Sequence, residues 1–134
     1  LFTDLKKLFP EEEFQFEVPS PELKLNVDRT QIEQILINLL KNAREACSRK
    51  SDKKIQVKAR KLSAGNTTLT ISDNGEGILP DVLDKIFVPF FTTKTSGSGI
   101  GLSLCKQIMT LHEGSINVKS EVGKGSSFIL TFPK

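Results

Sequence analysis

A chain of 134 residues, 37% apolar and 26% charged, fits one globular domain with a real core and is too short for two ordinary ones. The net charge is +3, and the one dense basic run, Arg49-Lys50-Ser51-Asp52-Lys53-Lys54, reads as a solvated loop, so nucleic-acid binding is not indicated. No apolar run approaches the roughly 20 residues of a membrane span, and no signal peptide is visible.

Leu1 to Phe9 is an apolar-periodic stretch that reads as the tail of a preceding helix, and a chain opening on Leu1 is expected to be a piece of a longer protein. The alternation of Phe14 to Val18 predicts a strand, and that of Leu23 to Val27 a second. Asp28 is a good N-cap for a long helix to about Ser48. Ile55 to Leu62 and Thr67 to Ser72 read as strands around the turn cluster Ser63-Ala64-Gly65-Asn66. Pro80 to Phe87 predicts a short helix opened by proline. Thr92 to Gly99 is rich in Thr, Ser and Gly and is the best candidate for a mobile loop. Ile100 to Leu111 predicts a second long helix, closed by Gly114. Ser115 to Ser120 and Ser127 to Phe132 form a last strand pair around Val122-Gly123-Lys124-Gly125. The pattern is α+β, a sheet covered on one face by helices. Cys47 and Cys105 fall in helix-patterned segments, make no metal or redox spacing, and read as small buried residues of a protein in a reducing compartment.

The first long helix carries the most information. Its apolar residues recur at 32, 35, 36, 39, 40 and 43, the amphipathic period. Asn38 and Asn42, four apart, share a polar stripe beside the apolar one. Asparagine is a poor helix former, so two in mid-helix need a reason. Their amide oxygens suit a hard cation such as Mg²⁺; the alternative is two solvated side chains. Asp73 follows Leu69 and Ile71 on the apolar face of its strand, where a carboxylate needs hydrogen-bond donors. An adenine amino group is one such donor. Gly75 and Gly77 follow at once and let the backbone approach a flat ring, although Asp-Asn-Gly is also an ordinary turn. Gly97-Ser98-Gly99-Ile100-Gly101-Leu102 leads into a helix, where free N–H groups and the helix dipole favour phosphate. The spacing matches neither the dinucleotide fingerprint nor the G-x-x-x-x-G-K-[ST] loop, and a flexible linker is the alternative. Lys94, three residues upstream, could meet a terminal phosphate.

Together these segments resemble the ATP-binding catalytic domain of bacterial two-component sensor histidine kinases, within the superfamily of gyrase, heat-shock chaperone and mismatch-repair ATPases. The likeness covers residues 10–134 and five ordered motifs. Asn38 to Ala43 matches the asparagine box, and Asp73-Asn-Gly75-Glu-Gly77-Ile78 the first glycine box. Ile86 to Lys94 matches the phenylalanine box, Gly97 to Leu102 the second glycine box, and Gly123-Lys-Gly125-Ser126-Ser-Phe128 the third. The resemblance implies a two-layer α/β sandwich of the Bergerat type, with a mixed sheet of about five or more strands and about three helices on one face. It implies ATP and Mg²⁺ as cofactors, with Asn42 and Asn38 at the metal and Asn42 and Lys94 as the catalytic pair. Asp73, supported by Ser126, would hold the adenine amino group, and Gly75, Gly77 and Ile78 would shape the pocket. Lys41, Lys94, Gly97, Ser98, Gly99, Ile100, Gly101 and Leu102 would attend the phosphates beneath a lid spanning Phe87 to Gly101.

Three positions depart from the family pattern. Glu45 stands where a basic residue is frequent, Ser126 where threonine is common, and Glu113 where a second glycine often follows the histidine. His112, the single histidine, sits in a last helical turn and reads as structural, because the family's phosphoacceptor lies on a separate dimerising hairpin. The gyrase and anti-sigma branches have a glutamate base four residues before the metal asparagine. Here that residue is Asn38, which takes no proton at neutral pH, so a histidine kinase is favoured over an ATPase clamp, a serine kinase or a binding-only domain. The implied partners are the dimerisation and histidine-phosphotransfer domain of the same parent, with residues 1–9 as linker to it, and a response regulator. No nucleic acid and no membrane contact are expected of this segment. The fragment is expected to be a monomer and its parent a homodimer, cytoplasmic or anchored at the inner membrane.

Overall fold

In Ile55-Gln-Val-Lys-Ala59 every second residue is apolar, and a strand sends the two sets to opposite faces. The same rule sorts Leu69 and Ile71, Ile116 and Val118, and Phe128, Leu130 and Phe132. In the computed structural model these side chains form the inner face of one sheet, and all but the half-buried Val118 are buried. The structure describes residues 14–17, 29–47, 52–62, 65–88 and 101–133. Its strands are β1 (Phe14–Glu17), β2 (Ile55–Lys61), β3 (Thr67–Asp73), β4 (Ser115–Glu121) and β5 (Gly125–Phe132). They lie in the order β1-β2-β3-β5-β4. β1 runs parallel to β2 and the other neighbours are antiparallel, so the sheet is mixed, as expected.

The helices are α1 (Arg29–Ala46), α2 (Pro80–Leu83) and α3 (Gly101–Leu111). α1 packs across β3, β2 and β5, α3 packs on β4, and the two long helices pack on each other. Ile32, Ile35, Leu36, Leu39 and Leu40 are fully buried, which is the period-3.6 stripe put to use. Burial of each such side chain contributes about 1.5–3 kcal/mol. Cys47 and Cys105 are buried free thiols. Among the described residues no helix is long and apolar enough to cross a membrane.

Two helix ends differ from the sequence reading. α2 stops at Leu83 rather than Phe87. The chain continues through i→i+3 bonds, from Lys85 N–H to the Val82 carbonyl and from Val88 N–H to the Lys85 carbonyl. Those are turn bonds, not a continued α-ladder. At the end of α3 the left-handed residue is Glu113 (φ 59), not Gly114. Gly114 N–H bonds the Met109 carbonyl and Glu113 N–H bonds the Thr110 carbonyl, the paired closure of a Schellman motif. His112 Nδ1 donates to the Ile108 carbonyl at 2.9 Å, a carbonyl that also accepts from the His112 backbone N–H. The segments Leu1 to Phe9 and Leu23 to Val27, and the cap Asp28, lie outside the described residues. So do Phe90, Phe91, Lys94, Gly97, Ser98, Gly99 and Ile100.

Candidate functional site

The apolar inner face of the sheet ends in a polar row. Asp73 pairs with Ile55 on one side and with Ser126 on the other, and Ser126 pairs with Ser120. Alternation therefore puts Asp73, Ser126 and Ser120 on the face of Ile71, Phe128 and Val118. Burial pushes the Asp73 carboxyl above its ordinary 3.8, and backbone donors from Gly75 and Ser126 pull part of the way back. The Gly75 N–H···Oδ1 bond is 2.8 Å. A carboxylate kept in this setting depends on such donors.

The chain after Asp73 is clamped at both ends of its turn. Asn74 Oδ1 accepts from Lys54 N–H at 2.9 Å and from the Cys47 thiol at 3.5 Å. Its Nδ2 donates to the Asp52 carbonyl at 2.9 Å. Glu76 N–H donates to the carbonyl of Ala46 at the end of α1, and Gly123 N–H donates to the Glu76 carbonyl. Gly75 lies on Ala46, whose carbonyl oxygen would be 2.6 Å from any Cβ placed there. Gly77 has φ +78 and abuts Glu121, and Gly125 has φ +129 and abuts the Asp73 carbonyl, at 2.4 and 2.0 Å from an added Cβ. Both need glycine for conformation and for room. The glycines expected to clear space for a flat ring thus have a packing reason of their own. Ile78 is half-buried against the core, and its N–H donates to Ser120 Oγ at 2.8 Å.

α1 links this turn to the start of α3. Ala46 touches Gly75, Asn42 lies one turn earlier and Asn38 one turn before that. At 1.5 Å per residue Asn38 and Ala46 are about 12 Å apart along the axis. Asn38 Cγ is 3.8 Å from where a Gly101 Cβ would be, so the first residue of α3 rests on Asn38. Asn38 Oδ1 accepts from Gln34 Nε2 at 3.3 Å, and its Nδ2 reaches Cys105 Sγ at 3.9 Å. Burial pushes the Cys105 thiol up to about 11, with a small counter-pull from Asn38. Asn42 is half-buried, Lys41 is exposed, and Leu102 packs half-buried on the core. Phe87 also packs on the core, with Lys106 Nζ 5.8 Å from its ring centroid, within cation–π range.

Ser120 and Asn74 escaped the sequence reading. The signal for Ser120 was present, since Ile116, Val118 and Ser120 alternate and put a polar group on the apolar face, as with Asp73. Nothing local to Asn74 shows that it ties three segments together.

The family of histidine kinase-, DNA gyrase B-, and HSP90-like ATPases matches residues 27–134. The chain belongs to this family. Sensor histidine kinase ZraS of Salmonella typhimurium is 39% identical over 110 residues, 82% of this chain and 23% of the relative. The chain thus spans less than a quarter of that curated relative's length. The nucleotide-free catalytic domain of histidine kinase ThkA superposes with TM-score 0.84 at 34% identity, covering 98% of this chain and 89% of that one. ThkA in its complex with response regulator TrrA matches at TM-score 0.78 and 31% identity, over 99% of this chain and 39% of that one.

The donor set fits the cofactors that this family implies. Among the described residues no group of three His, Cys, Asp or Glu side chains gathers for a metal. A divalent ion here would take protein ligands from amide oxygens and depend on substrate phosphates for its charge partners, the habit of Mg²⁺.

Proposed function

We propose that this domain binds ATP with Mg²⁺ and presents the γ-phosphoryl to a histidine on a separate dimerisation domain, for onward transfer to a response-regulator aspartate. The observation that carries the reading is the line along α1, where the Asp73–Gly77 turn sits at one end, the N-terminus of α3 sits at Asn38, and Asn42 lies between. Asp73 accepts the adenine amino group, with Ser126 beside it, and Gly75, Gly77 and Ile78 wall the base. Asn42 and Asn38 offer oxygens to the cation, which neutralises phosphate charge when bound. Gly101, Leu102 and Lys41 attend the phosphates, a role the family resemblance also gives to Lys94, Gly97, Ser98, Gly99 and Ile100. The protein's contribution is positioning and charge neutralisation.

Asn38 cannot act as a general base, so water attack is not promoted. The isolated domain should bind Mg·ATP as a monomer and hydrolyse it far below about 1 s⁻¹, the low end of ordinary enzyme turnover. It should phosphorylate its parent's dimerisation domain when the two are mixed, the parent being a cytoplasmic or membrane-anchored homodimer. Phosphate release and radiolabel transfer measure the two. Rapid hydrolysis with no transfer would move the chain to the gyrase-like branch.

A further inference from the structure

The first residue past β3 has its side chain committed to the protein. Asp73 and Ile55 are the last register pair of β3 and β2, so Asn74 and Lys54 stand just outside the ladder. Their backbones still bond, Asn74 N–H to the Lys54 carbonyl at 3.1 Å. The Asn74 side chain adds to that bond. Its Oδ1 accepts from Lys54 N–H and its Nδ2 donates to the Asp52 carbonyl, each at 2.9 Å. A backbone N–H only donates and a backbone carbonyl only accepts, so these two bonds fix which end of the amide is the oxygen. The Cys47 thiol, 3.5 Å from Oδ1, is then a donor to it. Both acceptor sites of that oxygen are taken, and none is left for a ligand. Asp73 lies immediately before this anchor and Gly75 immediately after it. Gly75 N–H donates to Asp73 Oδ1 at 2.8 Å, the bond that aims the carboxylate. Strand ends ordinarily fray. Here one side chain ties the strand end to the last turn of α1 and to the residues that lead into β2.

We propose that Asn74 is a positioning residue for nucleotide binding. It holds the Asp73–Gly75 turn in its binding-competent form before the nucleotide arrives, and it does so without touching the nucleotide. Without its side chain the turn samples other conformations, and Gly75 N–H leaves Oδ1 part of the time. Affinity then falls by the fraction of molecules in which the turn is formed. The inference rests on the proposed reading of Asp73 as the base contact.

Two measurements on the domain read this together: ADP affinity by calorimetry, and amide hydrogen exchange without nucleotide. Asn74→Ala is expected to weaken ADP about five- to tenfold, the order of one neutral hydrogen bond. The Gly75 and Glu76 amides should exchange faster in this variant, while the amides of β3 and β5 keep their wild-type protection. A merely structural role would lower the melting temperature and speed exchange throughout the sheet. ADP affinity measured well below the melt would then be unchanged, and that result overturns the proposal. Should Asn74→Ala fail to fold, Asn74→Asp keeps the shape and the acceptor toward Lys54 and removes the donor toward Asp52. Unchanged ADP affinity there overturns it equally. Asp73→Asn, measured alongside, separates the two readings. If it weakens ADP and the Asn74 variants do not, Asn74 alone is misassigned. If it binds ADP as the wild type does, the base contact fails and the proposal fails with it.

Discussion

Replacing Asp73 by asparagine keeps the side chain's shape and removes its charge. The Gly75 N–H donates to Oδ1 at 2.8 Å, so the amide oxygen of the variant must stay on Gly75. Its NH₂ then turns toward the base and meets the adenine amino group donor to donor. A hydrogen bond to a charged group contributes about 1.5–3 kcal/mol against about 1 for a neutral one. The whole charged bond is lost, about 1.5–3 kcal/mol, or roughly ten- to 150-fold in ATP affinity. GTP presents a carbonyl at that position, so its affinity should hold or improve and the ATP-over-GTP preference should collapse. The pH dependence has a fixed sign. Burial raises the folded carboxyl above 3.8, so the nucleotide-free domain gains stability from this group as pH falls through the folded value toward 3.8. Over the same window the wild type should lose ATP affinity as the carboxylate is protonated, whereas the asparagine variant should lack both slopes. Calorimetry with ATP and GTP at neutral and mildly acid pH, with urea unfolding alongside, measures all of this. An Asp73→Asn protein that keeps ATP affinity and the ATP-over-GTP preference would sink the assigned pocket.

Glu113→Gly should stabilise the domain by about 1 kcal/mol, near 4 °C in melting temperature, because a left-handed residue with a Cβ is strained at the Schellman position. An unchanged melting temperature would mean that the glutamate side chain offsets the strain. Gly125→Ala should cost about 3 kcal/mol or more, since the new Cβ meets the Asp73 carbonyl at 2.0 Å in a backbone region hostile to side chains; denaturant unfolding of the variant checks it. Cys105, with its thiol pushed up to about 11, should resist alkylation at neutral pH in the folded domain and react once urea unfolds it. Its folded value lies above 9.0, so the stability it lends should fade as pH rises from about 9 to about 11.

Most of the fold is legible because period-2 and period-3.6 patterns are strong here. Ile55, Val57 and Ala59 on β2, and Ile32 to Ala43 on α1, land on the faces their spacing dictates. What local pattern leaves open is where an element stops. Pro80 starts α2 correctly, yet the helix gives way to turns after Leu83. At the end of α3 the sequence offers Gly114 as the obvious left-handed residue. The chain uses Glu113 instead, because closure depends on how β4 must leave the helix. Asp73 could be found at the sequence level, being a charge on an apolar face. Ser120 obeys the same logic in a weaker form, since a serine on such a face is far commoner than an aspartate. Its three partners come from β5 and from the segment after β3, and only the sheet order β3-β5-β4 brings them to β4.

That sheet order also explains why packing and the proposed recognition fall on the same residues. The polar row exists because β5 is inserted between β3 and β4, which places Ser126 between Asp73 and Ser120. Gly125 must be bare for β5 to lie against the Asp73 carbonyl, and Gly77 must be bare for the turn to lie against Glu121. Remove either glycine and the row loses its register before any ligand is considered. The site is therefore not grafted onto a finished scaffold; it is the place where three strand ends and the end of α1 lock together. On the asparagine side, Asn38 is held by Gln34 and reaches Cys105, and it also abuts Gly101. An Asn38→Ala variant should consequently disturb the start of α3 as well as any cation. Asn42→Ala, one turn along α1, should weaken Mg·ATP much more than Mg-free nucleotide, because the proposed cation draws its remaining ligands from phosphate. Equal losses with and without Mg²⁺ in a calorimetric comparison would remove Asn42 from the metal.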